Sequence, residues 1–232
     1  MRVIRPIRSA QIKKFTGVTV VDEGDLIAVE EPLQLKIQWE SEGSWNEKPL
    51  SITMRTPGHD FDLALGFLWA ENIIQRKADI LLIRYCKRVK QEEKGNVLLI
   101  RFANGHQIPS SVWDRNFLTN SSCGICGKSA ISAVTCPDEG LTNGEMQPIS
   151  PEILHRLNKS LMEEQTGFKY TGGLHAAGLF DLTGKLLLLR EDVGRHNALD
   201  KLVGAALNQD LLTAAGQIVM LSGRVSYEMV QK

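Results

Sequence analysis

Two cysteines carry the clearest chemical signal in the chain, because Ser121-Ser122-Cys123-Gly124-Ile125-Cys126-Gly127-Lys128 sets them in a CxxC spacing within a polar, glycine-rich stretch. A thiol is a nucleophile only as its thiolate, and a neighbouring lysine together with unengaged backbone amides favours that form. Gly124 and Gly127 let the backbone bend toward successive partners, and Ser121 and Ser122 add hydroxyl donors. Three chemistries share this pattern: half of a tetrahedral zinc site completed by Cys136 or a histidine, dithiol redox, and sulfur or other thiol transfer. Thioredoxin-like pairs follow a strand and open a helix, whereas this pair stands in a connection without apolar periodicity. That context weighs against redox and suits a mobile carrier.

Composition narrows the setting. With 27 basic and 27 acidic residues among 232, no net field selects nucleic acid, an anionic membrane or a polycationic partner. The longest apolar run, residues 63–70, is far shorter than the roughly 18 residues a membrane helix needs. Arg2, Arg5, Arg8, Lys13 and Lys14 stand near the start without an acid or a continuous apolar stretch, so residues 1–15 read as a flexible arm and not as a secretory signal. Four cysteines, with Cys86 and Cys136 isolated, make no disulfide framework and point to a reducing cytoplasm.

The elements that must position the cysteines are legible from periodicity. Residues 32–39 and 50–55 alternate apolar and polar across a polar connection and read as a hairpin. Phe61, Ala64, Leu65, Leu68 and Trp69 then recur at helical spacing, and residues 80–85 and 97–102 read as paired strands around a charged turn. Residues 16–120 are thus an α+β lobe, and 121–147 a mobile cysteine loop and linker. Ser150-Pro151-Glu152 supplies a cap, a first-turn proline and an acid for a helix through Ile153, Leu154, Leu157 and Leu161. Strands at 174–180 and 185–190, a helix through Ala198, Leu202 and Ala206, and a strand at 217–221 follow, giving an α, β, β, α, β order for 148–232. A last segment, 225–232, starts a helix too short to stand alone, as if the lobe were cut off.

Five blocks in order along the chain are similar to the signatures of the FdhD family. They are Met54-Arg55-Thr56-Pro57-Gly58-His59-Asp60, the SSCGICGK loop, Thr171-Gly172-Gly173-Leu174-His175-Ala176-Ala177, residues 190–201 (REDVGRHNALDK) and residues 222–232 (SGRVSYEMVQK). The resemblance implies a sulfurtransferase that takes sulfur as a persulfide from a cysteine desulfurase. It would hand this sulfur to the molybdenum bis-molybdopterin guanine dinucleotide cofactor, a substrate and not a resident group, for formate dehydrogenase. By the same resemblance Cys123 is the persulfide carrier, Cys126 assists, and a homodimer is expected.

It further implies an α/β fold whose second lobe is a cytidine deaminase-like three-layer α/β/α unit. A zinc deaminase needs H-x-E and P-C-x-x-C at two helix openings. His196-Asn197-Ala198 and Ser222-Gly223-Arg224-Val225 stand there instead, so deamination is not expected. Two amino-terminal helix ends flanked by Arg195 and Arg224 would make an anion site for the cofactor's phosphates. Gly172, Gly173, His175, Arg195, His196, Asn197, Ser222, Gly223 and Arg224 are the cofactor-binding candidates. The competing structural reading pairs Arg195 with Asp200 in the interior, makes His196 a satisfied core histidine, and has the Thr56 to Asp60 turn cap the following helix.

Overall fold

The computed structural model describes residues 5–114, 148–212 and 216–232. The chain opens with a two-stranded ribbon, β1 (Ile7–Thr16) and β2 (Thr19–Ala28), paired antiparallel through its whole length. Residues 7–15 are therefore strand, where a flexible arm was expected over residues 1–15. Both faces of the ribbon meet solvent over most of its length, so there is no buried face to impose an apolar alternation.

β3 (Glu31–Ser41) and β4 (Ser44–Arg55) form the expected hairpin, but its turn is tight. Glu42 and Gly43, both left-handed at φ 51° and 74°, reverse the chain. Most of the polar stretch expected to be a connection is paired strand. α1 (Asp60–Ala70), β5 (Ile80–Tyr85) and β6 (Val97–Phe102) follow as expected. β6 lies parallel to β3 and antiparallel to β5, giving the order β4-β3-β6-β5. Leu33, Leu35 and Ile37 of β3 and Leu98, Ile100 and Phe102 of β6 face one way, against Leu63, Ala64 and Leu68 of α1. α2 (Ser111–Asp114) closes this half, with Trp113 edge-on to Trp39 at 4.9 Å.

α3 (Pro151–Glu164) starts as its sequence dictates, the Ser150 hydroxyl accepting the Ile153 N–H. A short α4 (Thr166–Thr171) follows, and Gly172, left-handed at φ 63°, ends it. β7 (His175–Asp181), β8 (Leu186–Asp192), α5 (Arg195–Asn208), β9 (Gln217–Leu221) and α6 (Tyr227–Gln231) complete the chain. The sheet order is β8-β7-β9, all antiparallel. Alternation along β7 sends Ala176 and Phe180 to Leu157 and Leu161 of α3, and Ala177 and Leu179 to Ala198, Leu202 and Ala206 of α5. This half is a three-layer α/β/α unit.

α1 and α5 pack directly on one another between the two sheets. Gly66 and Gly204 face each other at the crossing. A Cβ on Gly66 would fall on the Asp200 carbonyl, and one on Gly204 on the Asp62 carbonyl. The layers therefore run four-stranded sheet, α1, α5, three-stranded sheet, α3. The two lobes read from sequence share a glycine-floored helix contact and do not hang on a linker.

Candidate functional site

Cys123 and Cys126 lie outside the described residues, as does the rest of the SSCGICGK loop. Their segment leaves from α2, where Lys48 sits 5.0 Å over the Trp113 ring, and returns at the Ser150 cap of α3. It therefore connects α2 to α3 in sequence. Among the described residues, Cys86 is the one free cysteine, and burial pushes its thiol pKa up, away from reactivity.

The cofactor-binding candidates separate into two groups. His175 at the start of β7, Gly223 after β9 and Arg195 at the opening of α5 come together. A Cβ on Gly223 would crowd His175 Nδ1 at 3.1 Å and come into ordinary contact with Arg195 Cδ at 3.9 Å, so the glycine keeps the imidazole free. Ser222 extends the sheet: its N–H donates to the Ala176 carbonyl at 3.0 Å and its Oγ accepts the Ala176 N–H at 2.8 Å. Arg224 beside it is exposed, and Arg195 Nε is buried without a hydrogen-bond partner among the described residues. The expected interior pair between Arg195 and Asp200 does not form, because Asp200 is taken by Lys232 Nζ at 2.6 and 2.8 Å.

The remaining candidates are occupied with folding. Gly172 and Gly173 end α4, the Gly172 N–H donating to the Phe168 carbonyl and the Gly173 N–H to Thr171 Oγ1. His196 Nε2 lies 3.3 Å from both Ser226 Oγ and Glu228 Oε2, pinning α6 to α5. Burial, with help from the Lys232 and Arg195 cations, pushes this imidazole down to about 4. Asn197 donates to the Met54 carbonyl at 2.7 Å and to Asp192 Oδ1 at 3.1 Å, while Thr53 Oγ1 donates to its amide oxygen at 3.2 Å. The expectation of two helix amino ends is also corrected: α6 begins at Tyr227, so Ser222-Gly223-Arg224 is a strand-end turn and only α5 opens beside it.

What sequence reasoning missed is a buried polar clasp between the lobes. Thr56 donates its N–H to Asp192 Oδ2 at 3.1 Å, accepts the Val193 N–H on Oγ1 at 3.1 Å, and gives its carbonyl to Lys201 Nζ at 2.8 Å. Lys201, 1% exposed, also pairs with Asp192 at 2.6 Å. The loop before α1 is fixed by Arg55, fully buried, which makes a two-pronged contact to Asp60 at 3.0 and 2.7 Å and reaches the Glu31 and Gly95 carbonyls and Asn96. Tyr85 and the Gly58 N–H also donate to Asp60. The Thr56 to Asp60 turn thus binds Arg55 and the other lobe; it is not a side-chain cap, and His59 occupies the cap position with a left-handed backbone and no capping bond. A readable signal existed: Asn197, Lys201 and Gly204 recur at helical spacing on a face that must be buried.

Beside the clasp, Thr56, Pro57, His59, Tyr170, Leu174 and Arg190 line a cleft of about 520 Å³. Arg190 holds Asp62 with two contacts at 3.0 and 2.9 Å. Burial alone would raise the Asp62 carboxyl, but His59 and Arg190 bring it below its ordinary value. Among the described residues, no three His, Cys, Asp or Glu side chains are grouped to hold a metal ion.

Fold and sequence together define an α/β protein whose four-stranded and three-stranded sheets are joined through one helix crossing, with the CxxC segment between them in the sequence. The FdhD/NarQ family model matches residues 28–232, and the chain belongs to that family. It is 43% identical over 211 residues to the sulfur carrier protein FdhD of Streptomyces coelicolor, covering 90% of this chain and 72% of that one. It is 37% identical over 227 residues to the same-named protein of Mycobacterium tuberculosis, covering 96% and 79%. The Sulfolobus acidocaldarius protein is 38% identical, covering 97% and 79%. The fold is also shared with a crystal structure from Desulfotalea psychrophila assigned as a formate dehydrogenase accessory protein, at TM-score 0.63 and 17% identity, covering 97% of this chain and 78% of that one.

Proposed function

We propose that this chain is a cytoplasmic sulfur carrier for formate dehydrogenase, taking sulfur from a cysteine desulfurase and passing it to the molybdenum bis-molybdopterin guanine dinucleotide cofactor. The observation that carries the reading is the SSCGICGK loop in a member of the FdhD/NarQ family whose relatives are named sulfur carriers. In the first step the Cys123 thiolate attacks the outer sulfur of the donor persulfide. A new S–S bond forms, the old one breaks, and the donor cysteine leaves as thiolate. In the second, an electron pair of the acceptor takes that sulfur and Cys123 returns to thiolate. Cys126 assists one of these steps.

The His175, Gly223 and Arg195 cluster is the contact for an anionic part of the cofactor. Its support is the Arg195 guanidinium with a buried Nε lacking a hydrogen-bond partner among the described residues, next to Gly223. The β8-β7-β9 order with helices on both faces supports a cytidine deaminase-like second lobe. No helix among the described residues is long and apolar enough to cross a membrane.

Incubation with a cysteine desulfurase and cysteine, followed by mass spectrometry, tests the carrier role. The expected result is one added sulfur on Cys123, lost in Cys123→Ala. Stoichiometric zinc without persulfide, or a Cys123–Cys126 disulfide that turns over, would replace the proposal by a metal module or an oxidoreductase. Arg195→Gln should weaken cofactor binding and leave persulfide loading intact.

A further inference from the structure

β4 and β5 are the outer strands of the four-stranded sheet. An outer strand offers a row of unpaired backbone groups, which folds blunt with proline, charge or covering side chains. β4 carries Pro49, and on β8, an outer strand of the other sheet, Arg190 Nη1 donates to the Leu189 carbonyl at 2.8 Å. β5 is left open. The Cys86 N–H, just past its end, bonds back to the Val97 carbonyl of β6 at 2.8 Å. Alternation then turns the backbone groups of Ile83 and Tyr85 outward, where no backbone partner among the described residues meets them. The strand also exposes apolar surface. Leu81 is 59% exposed, and Phe61, tilted against the Tyr85 ring at 5.3 Å, is 44% exposed.

The cations along this edge are unbalanced. Residues 80–90 hold Arg84, Lys87, Arg88 and Lys90 and no acid, in a chain whose charges cancel. Asp79 before them is taken by Arg76, and Glu93 after them accepts the Lys90 N–H. Among the described residues, no ion pair takes Arg84, Lys87 or Arg88. The two faces of β5 also differ. Ile83 and Tyr85 pack on the core beneath α1, whereas Arg84 points to the opposite side, paired with Leu99 of β6. A strand laid along β5 would meet apolar side chains on one face and a guanidinium on the other.

We infer that the free edge of β5 receives an extended segment of a partner protein in which apolar and acidic residues alternate. Main-chain bonds to Ile83 and Tyr85 hold it, its apolar side chains lie beside Ile83, Tyr85 and Phe61, and its carboxylates lie beside Arg84 and toward Lys87 and Arg88. A nucleic acid would satisfy the cations but leave the outward amides and the exposed apolar residues unmet. The inference stands independently of the sulfur-carrier reading, which assigns nothing to this edge.

Fluorescence anisotropy of the full chain with a short labelled peptide alternating valine and glutamate tests it. This peptide should bind at least about tenfold more tightly than its valine and lysine counterpart. N-methylation of every second amide should weaken it about tenfold in the phase that faces β5 and spare it in the other phase. Lys87→Glu with Arg88→Glu, both exposed, should weaken the glutamate peptide by a similar factor with the thermal transition unchanged. Equal binding of the lysine peptide, or methylation without effect in either phase, would overturn the inference. So would a single-stranded oligothymidylate that binds as tightly as the glutamate peptide, which would make the patch a general anion surface. A loss of self-association in the double variant, read by light scattering, would overturn it too, because it would put a second copy of the chain on this edge.

Discussion

Lys201 sits within reach of the Asp192 carboxylate and the Thr56 and Glu191 carbonyls, with almost no exposure. A buried ion pair adds little over a well-packed apolar pair, but removing one partner strands the other charge. Lys201→Met should therefore cost about 3–5 kcal/mol in urea unfolding. Adding Asp192→Asn should return part of that loss, because the stranded carboxylate is gone. His196 gives the pH dependence. Its folded value, about 4, lies below the usual histidine value, so between about 6.5 and 4 the unfolded chain takes up a proton that the folded chain refuses. Its contribution is complete above about 6.5 and is lost as pH falls toward 4. Denaturation at stepped pH should show a steeper acid loss in the wild type than in His196→Asn. The sequence already allows His196 as a satisfied core histidine, whereas Lys201 gives no such sign. Charged and ring side chains inside a motif read as surface chemistry until the face that buries them is known.

Periodicity served best for elements that bury one side. β5, β6 and β9 match their apolar runs because each has a packed face, and α3 is announced by Ser150 and Pro151. β1 and β2 escaped for the opposite reason, since a ribbon wet on both faces leaves no alternation to read. The chemistry of the cysteine loop rests on residue types alone, because the loop lies outside the described residues. The α1 and α5 crossing was also invisible, because a single glycine inside a helix pattern tells nothing of what it faces. Overpacking typically costs 1–3 kcal/mol, and here the obstruction is backbone on both sides. Gly66→Ala and Gly204→Ala should each destabilise by about 3 kcal/mol or more, read from the urea midpoint. Gly223→Ala, whose neighbours are side-chain atoms, should fall well below that and instead weaken cofactor binding.

At the scale of the molecule, the clasp and the helix crossing join what sequence alone divides. The contact from Thr53, Met54 and Thr56 to Asp192, Asn197 and Lys201 spans the two lobes and is largely buried. A single calorimetric transition, with matching van't Hoff and calorimetric enthalpies, is the expected thermal behaviour. Two resolved transitions would show that the lobes unfold separately.

The crossing of α1 and α5 has one more consequence, for a chain that is cut. It closes a long loop in the sequence, and residues 115–147 lie inside that loop. A protease that opens the cysteine segment would sever the only covalent path from one half to the other without touching a contact of the crossing. Pieces ending near α2 and beginning near α3 should therefore stay associated after cleavage, and should reassemble when expressed apart. The described contacts that join the two halves are all made by residues outside the stretch that carries Cys123 and Cys126.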